Sequence, residues 1–278
     1  MENCLSKTAL AVACFMQNTG IQHCQEISAY TRAAQITQGV LGEHFGWIIE
    51  LATMKVKLRH LALTSAIRAT GFKRLLEVAC GLDPRGFILT DFAVVDTDLS
   101  PIVELKNNIA SVLIPDHPNY RVREADATYA EDLLSASQLL PPGPITISIA
   151  GFLTYLPMSI KHLAMQAVTS VMDSRPGSVL LVTSEDFLTR TELDTWNETP
   201  KGRILLEKIP EMAGQSSRIF YNNAFPDEDA VPKFLHMHSL DFCHNRQIDL
   251  VQDFQHGITG ADAKKFSAAK IWEMRRAW

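Results

Sequence analysis

Five short β-branched runs, each followed by helix-compatible text, constrain the fold of this chain more than any other feature. They are RLLEVA (Arg74 to Ala79), FAVVDT (Phe92 to Thr97), YRVREA (Tyr120 to Ala125), PITISIA (Pro144 to Ala150) and SVLLVTS (Ser178 to Ser184). Parallel strands need a crossover between them, and a helix is the usual one, so this alternation predicts a parallel sheet with helices on both faces. Ser100 as N-cap and Pro101 at the first helical position open one crossover helix through about Val112. Ile160, Leu163, Ala164, Ala167, Val168, Val171 and Met172 recur at helical spacing and predict a second, stopped by Arg175, Pro176 and Gly177.

The flanks read differently. The first 72 residues hold many helix formers and no convincing strand, with breaks at Asn18 to Gly20, Gly39 to Gly42 and Gly46. Between Glu185 and about Val231 the alternation lapses into polar, helix-compatible text, and an insertion of that length reads as a lid or substrate wall. Strand text resumes near Ser239 to Ile248 and ends with AAKIWEMRR, Ala268 to Arg276.

With 278 residues, 46% of them hydrophobic and 21% charged, the chain can bury a sizeable core. A net charge of -5 and the lack of any lysine or arginine run argue against a nucleic-acid partner. Thr8 to Met16 has the length of a signal-peptide core, but its only preceding basic residue, Lys7, is offset by Glu2, so it reads as a helix packed on the body. No apolar run approaches the roughly 20 residues a membrane span requires. Cys4, Cys14, Cys24, Cys80 and Cys243 form no C-x-x-C pair and are odd in number, which favours reduced thiols, a cytoplasmic location and no structural zinc.

At the end of the first run, LLEVACGLDPRG (Leu75 to Gly86) turns sharply through Gly81. Glycine lets bare backbone N–H groups approach a ligand, and an acid at the end of the next strand takes the two hydroxyls of a ribose; Asp96 and Asp98 stand there in VVDTDLSP. A nicotinamide site would want G-x-G-x-x-G, of which this turn lacks two glycines.

The turn resembles the acid-x-Gly-x-Gly-x-Gly motif of class I S-adenosylmethionine methyltransferases, with Ala79 and Asp83 where glycines are more usual. It is most similar to the leucine carboxyl methyltransferase branch, which includes polyketide O-methyltransferases and reads G-[AC]-G-[LYM]-D-[TS]-R. Ala79 to Arg85 fill that pattern, with Pro84 the departure. The resemblance spans about Met54 to Ser184 and the final strand. It implies a doubly wound, mostly parallel seven-stranded α/β sheet. Residues 1–72 would cover the cofactor site, 73–184 form the cofactor-binding core, 185–231 the lid, and 232–278 the strands that complete the sheet.

The cofactor implied is S-adenosyl-L-methionine, leaving S-adenosyl-L-homocysteine. By resemblance, Glu77, Ala79, Gly81 and Asp83 form the binding turn, Asp96 is the ribose acid and Asp98 its neighbour. In EADAT, Asp126 and the backbone N–H of Ala127 would hold adenine; a helix N-cap is the alternative for Asp126. AGFLTYLP (Ala150 to Pro157) is similar to the branch's E-G-x-x-x-Y-L-P, so Gly151 and Tyr155 would lie under the methionine part, with Ala150 replacing a glutamate. Arg59 would pair with the methionine carboxylate, as a planar guanidinium does well, unless it simply lies on a solvated helix face. Arg85 either ties down the turn or touches ligand.

The reaction implied is in-line transfer of the methyl group to an oxygen or nitrogen of a small-molecule acceptor. A protein C-terminal carboxylate, a binding protein that does not transfer, and a noncatalytic interaction module are the alternatives. Tyr155, Asp186 and His236 are the candidate catalytic side chains, for an acceptor that needs a base. His236, His238, Asp241 and His244 invite a metal reading, which alternating faces weaken in favour of a pocket wall or plain surface histidines. A homo-oligomer is compatible with the sequence; no membrane partner is expected.

Overall fold

The computed structural model describes residues 7–249 and 268–277. Four helices come first: α1 (Lys7–Met16), α2 (Cys24–Thr31), α3 (Ala33–Leu41) and α4 (Phe45–Ala69). Gly39 and Gly46, expected as breaks, lie inside α3 and α4. Next come β1 (Arg74–Val78), α5 (Arg85–Ile88), β2 (Ala93–Asp98), α6 (Ser100–Leu113), β3 (Tyr120–Glu124), α7 (Ala130–Ser137), β4 (Thr146–Ile149), α8 (Met158–Ser174) and β5 (Val179–Thr183). Four further helices follow, α9 (Arg190–Asn197), α10 (Pro200–Met212), α11 (Ser217–Asn223) and α12 (Ala230–Met237), and then β6 (Leu240–Asp249) and β7 (Ala268–Arg276).

All seven strands join one sheet in the order β3-β2-β1-β4-β5-β7-β6. The first five pair in parallel, while β7 runs antiparallel to both β5 and β6. The chain therefore starts at the sheet centre, winds outward one way and then the other. Successive side chains face opposite layers accordingly. Leu75, Val94 and Leu181 face α1, α4 and α6, whereas Leu76, Val95, Ile147 and Leu180 face α7 and α8. Strands covered on both faces read as continuous apolar runs, which is why every residue of β5 is buried.

Two local expectations shift. Ser100 is the first residue of α6 and its hydroxyl lies 3.4 Å from Glu104 Oε1; the N–H groups of Ile102 and Val103 that it would have capped bond instead to the Leu99 carbonyl. On α8 the buried face is rotated, so that Leu163 is exposed while Lys161 and Met165 point inward. Lys161 is wholly buried because its ammonium finds the Asn223 carbonyl at 2.8 Å and the face of Phe225 at 4.8 Å.

Helices α1, α3, α4 and α10 share a small core of Phe15, Leu41, Ile48 and Met212, and α9 and α11 share another around Leu193 and Phe220. Helices α9, α10 and α11 thereby pack on the N-terminal helices and on Tyr155 after β4, while α12 joins the core on the α8 side of the sheet. Thr199 caps α10 through Gly202 N at 3.0 Å, with Pro200 next, as a local stop-and-start signal should. No described helix is long and apolar enough to cross a membrane.

Candidate functional site

A cavity of about 530 Å³ opens at the carboxyl ends of β1 to β4. Open parallel sheets bind ligands there, where the strand order reverses on either side of β1. Its floor is the turn after β1. Ala79 (φ 52°) and Gly81 (φ 53°) both adopt left-handed backbone, which costs an alanine about 1 kcal/mol and glycine nothing. Cys80 N donates to Thr97 O at 2.9 Å and Gly81 N to Asp98 Oδ2 at 2.8 Å, so the end of β2 holds the turn open. The ceiling is α1, whose Thr8, Ala9 and Val12 line the cavity, together with Ala213 after α10.

Beneath the turn lies a buried charge network. The Arg85 guanidinium, 1% exposed, pairs with Glu77 through Nη1, with Asp83 Oδ2 at 3.0 Å through Nη2, and with Thr64 Oγ1 at 3.1 Å through Nε. His60 Nδ1 meets Asp83 Oδ1 at 3.0 Å, and Ser148 Oγ donates to Glu77 Oε1 at 3.2 Å. Burial would raise both acids. For Asp83 the nearby Arg85 and His60 outweigh it and hold the carboxyl well below its ordinary range, whereas for Glu77 burial wins and the carboxyl is raised. Glu77 Oε2 is buried with no partner and its residue lines the cavity, so one acceptor there faces an unfilled demand for a donor. Arg85 thus ties the turn down from below.

Of the two acids at the end of β2, only Asp98 lines the cavity. Asp96 is fully buried, outside the cavity lining, with Lys106 Nζ at 2.6 Å and Tyr120 Oη at 2.7 Å. It sits in register with Glu77, below the turn, so its charge is spent on α6 and β3. Asp98, the last residue of β2, lines the cavity and accepts from Gly81 N and Leu99 N, both at 2.8 Å; burial raises its pKa.

Asp126 and Ala127 also line the cavity. Asp126 is not the N-cap of α7, which is Tyr129; its Oδ1 accepts Thr128 N at 2.9 Å and Thr128 Oγ1 at 2.7 Å, closing a local turn. Gly151 (φ 75°) and Tyr155 form the wall after β4, beside Arg59 of α4. A Cβ on Gly151 would stand 2.8 Å from Arg59 Nη1, so the guanidinium occupies space that glycine leaves free. The Tyr155 hydroxyl is pushed up to about 12 by burial and stays protonated.

Two candidate catalytic residues stand elsewhere. Asp186 is fully buried and outside the lining. Its Oδ1 accepts Phe152 N at 2.7 Å and Leu153 N at 2.6 Å, and its Oδ2 accepts Gly151 N at 2.7 Å and Thr183 Oγ1 at 2.8 Å. It is the clamp of the Gly151 to Leu153 loop, with no lone pair left for an acceptor's proton. His236 is exposed on α12, away from the cavity. His238 is buried against His162, Nε2 to Nδ1 2.9 Å, and lowered to about 4 by burial; Asp241 is exposed on β6, and the side chain of His244 lies outside the described residues. Among the described residues no three histidine, cysteine, aspartate or glutamate side chains gather as a metal site.

Thr64 and Ser148 join the network without a signal in the two motifs, and His60, on the same helix as Arg59, turns to Asp83. His60 and Thr64 sit four apart on α4, one face of a helix, and that spacing was the available signal.

No family model and no curated protein matches this sequence. Solved structures do. A putative methyltransferase from Thermobifida fusca YX aligns over 97% of this chain and 94% of its own, at 15% identity and a TM-score of 0.59. The chain has the class I methyltransferase fold. An O-methyltransferase family protein from Burkholderia thailandensis covers 90% of this chain and 71% of its own at 9% identity, TM-score 0.52. The structure described as PigF with SAH covers 91% and 69% at 12% identity, TM-score 0.50.

Proposed function

We propose that this protein is an S-adenosylmethionine-dependent methyltransferase that acts on an oxygen or nitrogen of a small molecule. The observation that carries this reading is one cavity on which four differently suited groups converge. They are a bare Gly81 turn, Asp98 at the end of the next strand, Asp126 with Ala127 after β3, and Arg59 seated on Gly151. The orphaned Glu77 Oε2 supports it further, because a cofactor with an α-ammonium brings the missing donor.

In this reading Arg59 holds the cofactor carboxylate, Glu77 its ammonium, Asp98 the ribose hydroxyls, and Asp126 with Ala127 the adenine edge. When bound, the cofactor supplies an electrophilic methyl group on a sulfonium. The chain's own part is alignment and exclusion of water, for which α1 and Ala213 form the cover. Asp83, Asp98 and Asp126 are already engaged and the open oxygen of Glu77 is assigned to the cofactor ammonium, which favours an acceptor whose nucleophile arrives ready to attack. Cover by α1 and the lid favours a small acceptor over a protein terminus. The free thiols of Cys14, Cys24 and Cys80 fit a cytoplasmic setting.

Calorimetric titration with S-adenosylmethionine, S-adenosylhomocysteine and NAD tests the reading. Saturable binding of both adenosyl compounds and none of NAD is expected; failure to bind either adenosyl compound refutes it. Methyl-labelled cofactor incubated with cell extract should then place label in small molecules. Label in protein would refute the acceptor class.

A further inference from the structure

Tyr155 is held from the lid by its main chain. Its carbonyl accepts two side-chain amides, Gln215 Nε2 at 2.7 Å and Asn223 Nδ2 at 2.8 Å. The two amides are themselves coupled, with Asn223 Nδ2 3.5 Å from Gln215 Oε1. Asn223 ends α11 and is 4% exposed, and its own carbonyl takes the ammonium of Lys161, which is wholly buried on α8. Phe220, earlier on α11, packs on the Tyr155 ring with centroids 6.0 Å apart.

A carbonyl at the end of a short 3-10 turn normally turns to water; here both its lone pairs are taken by side chains 60 and 68 residues along the chain. The cost of ordering two amides for one carbonyl is sensible only if the placement of that residue matters. Tyr155 and Leu156 face the cavity from one side and Ala213, two residues before Gln215, faces it from the other. The amides therefore set the gap between the loop wall and the lid wall after β4, which lies across β1 from β2 and β3, the strands whose ends carry the groups assigned to ribose and adenine.

We infer that Asn223 and Gln215 are positioning residues for methyl transfer. They fix Tyr155 as the acceptor-side wall and so align the acceptor without contributing to cofactor affinity. This rests on the functional reading above. The lid is then part of the specificity of the site, and its residues act through Tyr155.

Asn223→Asp and Gln215→Glu keep size and shape but replace a donor by an acceptor facing the carbonyl. Three quantities are measured for each: S-adenosylmethionine affinity by calorimetry, the rate of label transfer from methyl-labelled cofactor into small molecules of the extract, and the urea midpoint. Transfer should fall about tenfold per variant, the size of one net hydrogen bond, while cofactor affinity stays within about twofold. Unchanged transfer overturns the inference, and so does a proportional loss of transfer and cofactor affinity, which marks a general structural defect. Should Asn223→Asp fail to fold, Gln215→Glu at the half-buried member decides. Absence of adenosyl binding by the unmodified protein refutes the functional reading instead, and is seen in the first arm.

Discussion

Replacing Asp186 by asparagine separates a clamp from a catalytic base. The carboxylate accepts four hydrogen bonds at 2.6 to 2.8 Å, three of them from consecutive backbone N–H groups of Gly151, Phe152 and Leu153. An amide offers one oxygen. If its nitrogen replaces Oδ2, Gly151 N faces a donor while Thr183 can rotate to accept. If it replaces Oδ1, both Phe152 N and Leu153 N lose their partner. At least one buried backbone donor is left unpaired, and the remaining bonds lose their charge assistance. Each hydrogen bond to a charged group is worth about 1.5–3 kcal/mol, so the loss is about 2–5 kcal/mol. Relief from burying a charge, which already raises the pKa of Asp186, offsets part of this and leaves roughly 2–4 kcal/mol. Against a total stability of about 5–15 kcal/mol the urea midpoint should drop clearly at constant m-value. Cofactor affinity should fall with it, because Gly151 and Arg59 lose their anchor. The opposite pattern would refute the argument: a midpoint and cofactor affinity like the parent's with transfer abolished, which is the signature of a base that touches the acceptor.

Asp98→Ala should weaken S-adenosylmethionine and S-adenosylhomocysteine alike in calorimetry, while Asp96→Asn should cost about 3–5 kcal/mol of stability by stranding buried Lys106; the reverse assignment of effects would restore Asp96 as the ribose acid. Gly151→Ala puts a Cβ 2.8 Å from Arg59 Nη1 on a backbone with φ 75° and should lower cofactor affinity by about tenfold through the displaced guanidinium; parent-like titration curves would remove Arg59 from the site. Burial lowers Lys161 to about 8 from an ordinary 10.5, so between those values the unfolded chain binds the extra proton and stability rises with pH. Relative to Lys161→Met, the parent should gain about 3 kcal/mol across that window in urea titrations, and parallel pH profiles would contradict it.

Strands β1, β2, β4 and β5 were readable because nearly every residue in them is buried, a local property that helix packing on two sides imposes, whereas the edge strand β3 keeps Arg121, Arg123 and Glu124 and was readable by alternation alone. That Gly81, Asp98, Asp126 and Gly151 line the cavity was readable for a related reason: they stand at strand ends, where this kind of sheet opens its crevice. Asp96 and Asp98 could not be told apart in the sequence because two acids two residues apart share one face of a strand, and only the depth of the turn says that Asp98 reaches the cavity. Depth is set by Lys106 and Tyr120 arriving from other elements. The engagement of Asp186 was hidden for the same cause, since an acid just past a strand looks available until the three N–H groups that bind it are in view.

By itself, then, the sequence determined the alternation of strand and helix and the turns at the strand ends, because hydrophobic period and turn chemistry act within a few residues. The tertiary structure alone decided which charges remain for that ligand. Arg85 and Lys106 neutralise buried acids from below, Asp186 spends its lone pairs on a loop, and Glu77 keeps one oxygen unpaired. It alone also brought Asn223 and Gln215 to the carbonyl of Tyr155. Such pairings join residues far apart in the chain, and the electrostatic and hydrogen-bonding demand of a buried group is met by whatever folding brings beside it.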